Sequence, residues 1–360
     1  PAAINQYEET QSSLIGISTT LKSDRLILKP RLYWRRHQDM YEFVRQNPAI
    51  YRNLHITNKV GAEFNAAYDS KSGVTGFGVD IAKVFLSSNN LGNREREMVT
   101  VFLEHRFMFA GNKLDITPGV AGTYFSDFNF HAFPGIDIGY RINNQLKLYA
   151  NAGYTYRIPT YTDLFYSDPT TLGNENLNPE EAISEEIGVT FSHTNIDMSA
   201  ALFNRNSNNI IDYVKNTESD LWQATNIQEL NSYGLEANVK YRFKVLGYQQ
   251  RMQLGYTYLK EALDTSRFAF SRYSINSLKH HLTITNHSQF LKNLSHSVVY
   301  KFAERTNGET YSVVDLKITL NVNAFEFSII GNNIFNEVYT ETNQVPMPKG
   351  NLLLDVGYRF

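Results

Sequence analysis

Nine histidines are the first candidates for metal or acid–base chemistry, and their spacing supplies neither. No His-Glu-x-x-His occurs, the pattern that sets two imidazoles beside a carboxylate for zinc hydrolysis. His280 and His281 are neighbours, so on a strand they point to opposite faces and read as polar strand-end residues. No Gly-x-Ser-x-Gly elbow and no glycine-rich phosphate loop is present. Ser295-His296 and Asn286-His287-Ser288 supply the residue types of a serine hydrolase, as do many chains of this composition. Asn293-Leu294-Ser295 is a sequon in form, but nothing in its setting gives it a role. Cysteine is absent, which argues against thiol and zinc-thiolate chemistry. Catalysis, a metal and a cofactor are therefore not expected.

The aromatic residues are a stronger lead. Tyr and Phe number 23 each. Tyr161, Phe165, Tyr166, Tyr213, Trp222, Phe268, Phe270 and Tyr273 fall in segments that read as loops. Large flat side chains there can grip a bulky ligand at low entropic cost. They can equally pack the loops, or belong to an aromatic belt at a membrane surface. Both readings stay open from the sequence.

The elements that carry these residues are strands. From Leu352 every second residue is apolar: Leu352, Leu354, Val356, Tyr358 and Phe360. Period two puts one face in oil and the other in water. Leu146, Leu148, Ala150, Ala152, Tyr154 and Tyr156 form a second such row, and Leu235, Ala237, Val239, Tyr241 and Phe243 a third. Leu316, Ile318, Leu320 and Val322 form a fourth. These rows fill the roughly 9–11 residues of a membrane-crossing strand rather than the ordinary 5–6. No apolar run approaches the roughly 18 residues of a transmembrane helix. The expectation is an all-β, antiparallel transmembrane barrel embedded in outer-membrane lipid, because only closure satisfies every backbone group in lipid.

The connections alternate in size. Short polar turns are expected near 22–24, 70–73, 111–113, 143–144, 193–195, 246–247, 291–293 and 323–324. Longer segments are expected at 36–53, 87–96, 125–131, 157–180, 205–222, 262–276, 304–311 and 337–350. Tight turns on one side and long loops on the other fit an outer-membrane barrel. The count is about 17 strands, and no sustained 3.6-residue helical period is found. Bacterial barrels have even numbers, so an upstream part is expected to be missing. Pro1 follows no initiator Met or signal peptide, which reads as a mature chain or a fragment.

Glu236, Lys240, Arg242, Asp315, Lys317, Asp355 and Arg359 alternate with the apolar rows. They are expected to face a wet interior, pairing across strands or holding a plug. The net charge of -2 implies no nucleic-acid partner.

One family resemblance emerges at residues 157–180. Arg157, Pro159, Thr160, Asp163 and Leu164, then Gly173, Asn174, Leu177, Pro179 and Glu180, resemble a signature of TonB-dependent outer-membrane receptors. Tyr233-Gly234-Leu235-Glu236, Asn332-Asn333-Ile334-Phe335-Asn336-Glu337-Val338-Tyr339 and the closing Gly357-Tyr358-Arg359-Phe360 resemble further elements of it, in the same order. The signature residues read as architecture: Pro159 and Pro179 remove donors at strand ends, and Gly173-Asn174 is a turn signal.

The resemblance implies most of a 22-stranded barrel, with an N-terminal plug and about five strands lying upstream. It implies coupling to the TonB-ExbB-ExbD complex through that missing part, and a possible surface lipoprotein capping the barrel. The loop at 157–166, Val345-Pro346-Met347-Pro348 and residues 91–100 look like the cobalamin-receptor branch, which implies vitamin B12 or a related corrinoid. A ferric siderophore or haem is the alternative ligand. A passive porin or an outer-membrane hydrolase is the alternative of another class.

Overall fold

The computed structural model describes residues 5–263, 268–272, 278–341 and 346–360. Strand follows strand: β1 (Tyr7–Ser18), β2 (Leu21–Lys22), β3 (Leu26–Glu42), β4 (Arg52–Ser70), β5 (Gly73–Ser88), β6 (Gly92–Phe109), β7 (Leu114–Phe125), β8 (Asn129–Arg141) and β9 (Leu146–Arg157). One short helix, α1 (Tyr161–Phe165), interrupts them. Then come β10 (Thr171–Leu172), β11 (Glu180–His193), β12 (Ile196–Lys215), β13 (Trp222–Val245), β14 (Tyr248–Leu263), β15 (Phe270–Ser271) and β16 (Leu278–Leu291). The chain finishes with β17 (Leu294–Arg305), β18 (Thr310–Val322), β19 (Phe325–Asn332) and β20 (Asn351–Tyr358). All belong to one sheet. Without the two-residue pieces β2, β10 and β15, seventeen strands among the described residues form the wall, as the alternation predicts.

Each wall strand pairs antiparallel with the next. Among the described residues, β1 and β20 pair on one side only. The apolar rows sit in register with each other. Leu320 faces Phe327, which faces Val356; Ile318 faces Ile329, which faces Leu354; Val322 faces Phe325, which faces Tyr358. All nine are exposed large hydrophobic side chains. Such an unbroken apolar surface on one face of a sheet is a lipid-facing wall.

The other face is polar and ion-paired across strands. Arg242 meets Asp197 at 2.8 Å, Lys301 meets Asp315 at 3.9 Å, and Glu326 receives both Arg359 at 3.1 Å and Lys317 at 4.0 Å. The cross-strand pairing expected for Arg242, Asp315, Lys317 and Arg359 is therefore present. The interior also uses glycine where a ring must lie flat. A Cβ on Gly188 would stand 2.4 Å from the Tyr149 ring, its register partner on β9.

The eight short turns fall where expected. At Leu246-Gly247 both residues take positive φ, 51° and 85°. That mirror-image turn matches the twist of the strands it joins.

The long segments differ from expectation. Half or more of each of 36–53, 87–96, 125–131, 205–222 and 304–311 is strand: β3 runs to Glu42, β6 starts at Gly92 and β12 continues to Lys215. β13 reaches 24 residues, far beyond a bilayer crossing. The extra length at the long-loop end makes a collar above the membrane. It is held by its own ladder, with Ile210 opposite Ile227 and Val214 opposite Gln223. A single turn of helix, α1, also lies in 157–180, too short to carry a sustained 3.6-residue period. Thr160 and Asp163 cap one another's backbone there, so five residues suffice for a turn of helix.

Candidate functional site

Inside this collar, residues 158–179 fold into a strap. Pro159 is fully buried, and its carbonyl accepts from Arg96 on β6 at 3.2 Å. α1 then turns Leu164 inward. Leu164, Leu177, Ile211, Tyr213 and Ala224 form a small apolar core, with Phe128, Phe165 and Trp222 packed against it. Gly173 closes the strap on itself: a Cβ there would lie 2.8 Å from the Leu164 backbone. Asn174 ties the strap to β13 through the Ala224 carbonyl at 3.2 Å. At its end Arg157 grips Glu180 with two nitrogens and Asp163 with a third contact at 3.4 Å. The signature residues Arg157, Pro159, Thr160, Asp163, Leu164, Gly173, Asn174, Leu177 and Glu180 thus build the strap. Pro179 directly precedes β11, and Phe360 ends the chain beyond β20, stacked edge-on against Tyr358.

The strap reaches across the wall. Tyr166 accepts from Asn53 of β4 at 3.2 Å and lies 3.3 Å from the Tyr51 hydroxyl. Ser167 and Asn90 exchange hydrogen bonds at 2.7 and 3.3 Å. β4 is separated from β9 by β5, β6, β7 and β8, roughly 24 Å along the sheet at the usual strand spacing. On its other side the strap meets Arg272, whose guanidinium donates to Thr171 Oγ1 at 3.0 Å. A connection between neighbouring strands that touches such distant points must cross the mouth of the barrel.

Two polar groups fix its centre. Burial foremost, then the Tyr51 hydroxyl and the charge of Asp168, push the Tyr166 phenol far above its usual range. It stays protonated and donates to Asp168 Oδ2 at 3.0 Å. Burial alone would raise the Asp168 carboxyl. Bonds from the Thr170 amide and hydroxyl and from Tyr166 outweigh it and hold the carboxyl below the usual range. The depressed value means the carboxylate stabilises the strap above the ordinary aspartate pKa, and this is lost as pH falls through the lower folded one. Accordingly, cutting within 158–179 should be slow with chymotrypsin at pH 7 and with pepsin at pH 5, and should rise with pepsin only below about pH 4. Asp168→Asn should cut faster at neutral pH and show no such acid step. An unchanged acid step in that variant would place its origin elsewhere.

The structure groups Tyr161, Phe165, Tyr166, Tyr213 and Trp222 and gives each of these a partner. Arg94 lies 3.5 Å above the Phe165 ring and Arg96 lies 4.8 Å above Tyr161. Tyr213 is buried and carries Arg272 at 5.4 Å; Trp222 carries Arg272 and Lys215, each at 4.9 Å. Tyr213 and Trp222 belong to β12 and β13, not to loops. Tyr273 lies outside the described residues. The cations Arg94, Arg96, Lys215 and Arg272 were missed in the sequence because their partners are mostly far away along the chain. A cavity of about 600 Å³ opens between strap and collar, lined by Arg157, Thr160, Thr162, Asp163, Tyr166, Asp168, Thr170, Thr171, Ile211, Tyr213 and Arg272. The hydrolase residues are far from this mouth. Ser288 donates to Asn286, and His287 pairs with Ser297 rather than with either candidate serine.

An antiparallel wall with an apolar outside, an ion-paired inside and a strapped, pocketed mouth defines an outer-membrane β-barrel of the receptor kind. The family model described as "TonB dependent receptor-like, beta-barrel" matches residues 5–336. The chain belongs to that family, and its place is the outer membrane of a Gram-negative bacterium. Among curated proteins it is similar to "Vitamin B12 transporter BtuB" of Photobacterium profundum, 32% identical over 27% of this chain and 16% of that protein. The Vibrio cholerae protein of the same name is 22% identical over 62% of this chain and 36% of that one. Among solved structures the siderophore receptor PirA from Pseudomonas aeruginosa superposes with a TM-score of 0.74 at 15% identity, over 93% of this chain and 62% of PirA. The copper transporter OprC gives 0.79 at 13% identity, over all of this chain and 67% of its own. The chain thus matches about a third or less of the curated relatives' length.

Proposed function

We propose that this chain is the barrel of an uptake receptor for a scarce, bulky ligand, cobalamin or a related corrinoid. The observation that carries the ligand class is the likeness to two proteins named as vitamin B12 transporters. The strapped mouth supports capture rather than free passage. A 600 Å³ cavity walled by phenols, hydroxyls, two arginines and two aspartates suits one lobe of a large polar ligand. This favours a receptor over a passive porin. Binding and release without covalent chemistry is the reading, so no enzyme activity is assigned.

The family's name carries the expectation of energy from TonB, and hence of ExbB and ExbD as partners. The one-sided edges of β1 and β20 support a wall completed by further strands, since unpaired edges are not tolerated in lipid. A plug inside that completed wall, and a surface lipoprotein over its mouth, belong to the same reading. A ferric siderophore is the second candidate, favoured by the likeness to PirA.

Growth separates the two ligands. A strain lacking the gene should fail on limiting vitamin B12 and grow normally on limiting iron. Normal growth on limiting B12, in a strain with no second B12 receptor, would remove the corrinoid reading.

A further inference from the structure

We infer that Arg272 forms an oxyanion subsite in the mouth cavity, taking the phosphodiester or a carboxylate of the captured ligand. The inference rests on the uptake reading above. The cavity wall carries two arginines and two aspartates. Three of these four charges are already answered. Arg157 is bound by Glu180 and Asp163, and Asp163 also accepts from the Thr160 amide at 2.9 Å. Asp168 accepts from Tyr166 on one oxygen and from Thr170, twice, on the other.

Arg272 is different. It has no ion pair among the described residues. Among the described residues its side chain makes one hydrogen bond, from Nη2 to Thr171 Oγ1, and rests against the Tyr213 and Trp222 rings. A guanidinium has five N–H donors, so most of them remain for another acceptor. Its backbone N–H is tied to the Tyr213 carbonyl at 3.1 Å, and the rings limit its side-chain motion. Such a donor is pre-organised, so little entropy is lost when an anion docks. Lys215, against the same indole, adds a second positive charge nearby. An arginine left with spare donors in a cavity suits a planar or tetrahedral oxyanion, which it can meet with two parallel bonds.

The test uses the full-length receptor in outer-membrane vesicles. Cyanocobalamin carries a phosphodiester, whereas cobinamide lacks it, and ferric citrate carries carboxylates only. Wild-type receptor should bind cyanocobalamin more weakly as salt rises. Arg272→Gln should lower that affinity by about 10–100-fold, the worth of a charge-assisted bond. It should also flatten the salt dependence and leave cobinamide binding within about twofold. Arg272→Lys should recover part of the loss, and Lys292→Gln, in a turn at the opposite end, should change nothing. If ferric citrate is bound instead and is the ligand lost in Arg272→Gln, the oxyanion is a carboxylate. Equal loss of cobinamide and cyanocobalamin in Arg272→Gln, or no loss of any ligand that wild type binds, would overturn the subsite. Wild-type receptor that binds none of the three would instead count against the uptake reading itself.

Discussion

Replacing Arg96 by Met should release the strap from the collar while leaving the barrel folded. Arg96 is buried, and its guanidinium holds three points at once. Nε and Nη2 meet the Asp127 carboxylate at 2.8–2.9 Å, Nη2 also donates to the Pro159 carbonyl, and the plane lies against Tyr161. Methionine fills similar volume but answers neither charge nor carbonyl. Breaking a buried pair from one side costs about 3–5 kcal/mol, because the partner's charge is left uncompensated. Asp127 is a third exposed, which screens part of that, so roughly 2–4 kcal/mol is expected. Read as a local opening equilibrium, this raises chymotryptic cutting at Tyr161, Phe165 and Tyr166 by about 30-fold or more. Asp127→Asn added to Arg96→Met should cost far less than the two changes summed, since both break one contact. The heat needed to unfold the barrel on a gel should not move. Cutting within twofold of wild type would show that the strap is held elsewhere.

That prediction turns on contacts no local pattern reveals. The wall was legible because its signal is local: period-two rows, and turn pairs such as the polar Asn143-Asn144 or the glycine-bearing Leu246-Gly247 between them. The same rule misplaced the collar. Ile211, Tyr213, Val214, Ala224 and Ile227 are buried above the membrane rather than in it, and the first three fall in 205–222, which reads as a loop in the sequence. A strand does not stop where lipid stops, and only the pairing of β12 with β13 carries it on. The strap divides in the same way. Its signature was visible as Thr160–Asp163 and Gly173-Asn174, because capping and close turns are matters of spacing. What occupies its aromatic rings was not. Arg94 lies 71 residues from Phe165 along the chain (165 less 94), and Arg96 lies 65 from Tyr161 (161 less 96), so their stacking is set by the curvature of the wall. Four of the candidate rings, Tyr161, Phe165, Tyr213 and Trp222, each carry a cation. The chemistry the mouth presents is therefore more that of guanidinium than of naked aromatic surface.

The wall's orientation makes the second large prediction. Ile329→Arg should destabilise the barrel by about 2–4 kcal/mol, whereas Asn321→Arg should change it by about 1 kcal/mol or less. Ile329 is half exposed and stands between Ile318 and Leu354 in the apolar row. It lies four residues from Phe325 at the short-turn end. At the strand rise and tilt usual in such barrels that is ~10 Å, near the middle of the apolar band. An arginine there has no water within reach and no partner carboxylate on that face. Asn321 pairs with Glu326 on the opposite, ion-paired face, where a further cation finds both water and acid. Urea unfolding of the full-length protein in lipid vesicles, followed by tryptophan fluorescence, reads both variants directly. The two substitutions add the same side chain on opposite faces of the wall, with Asn321 about three residues nearer the short-turn end. A tolerated Ile329→Arg beside a disruptive Asn321→Arg would turn the wall inside out, and with it every assignment of lumen, mouth and strap.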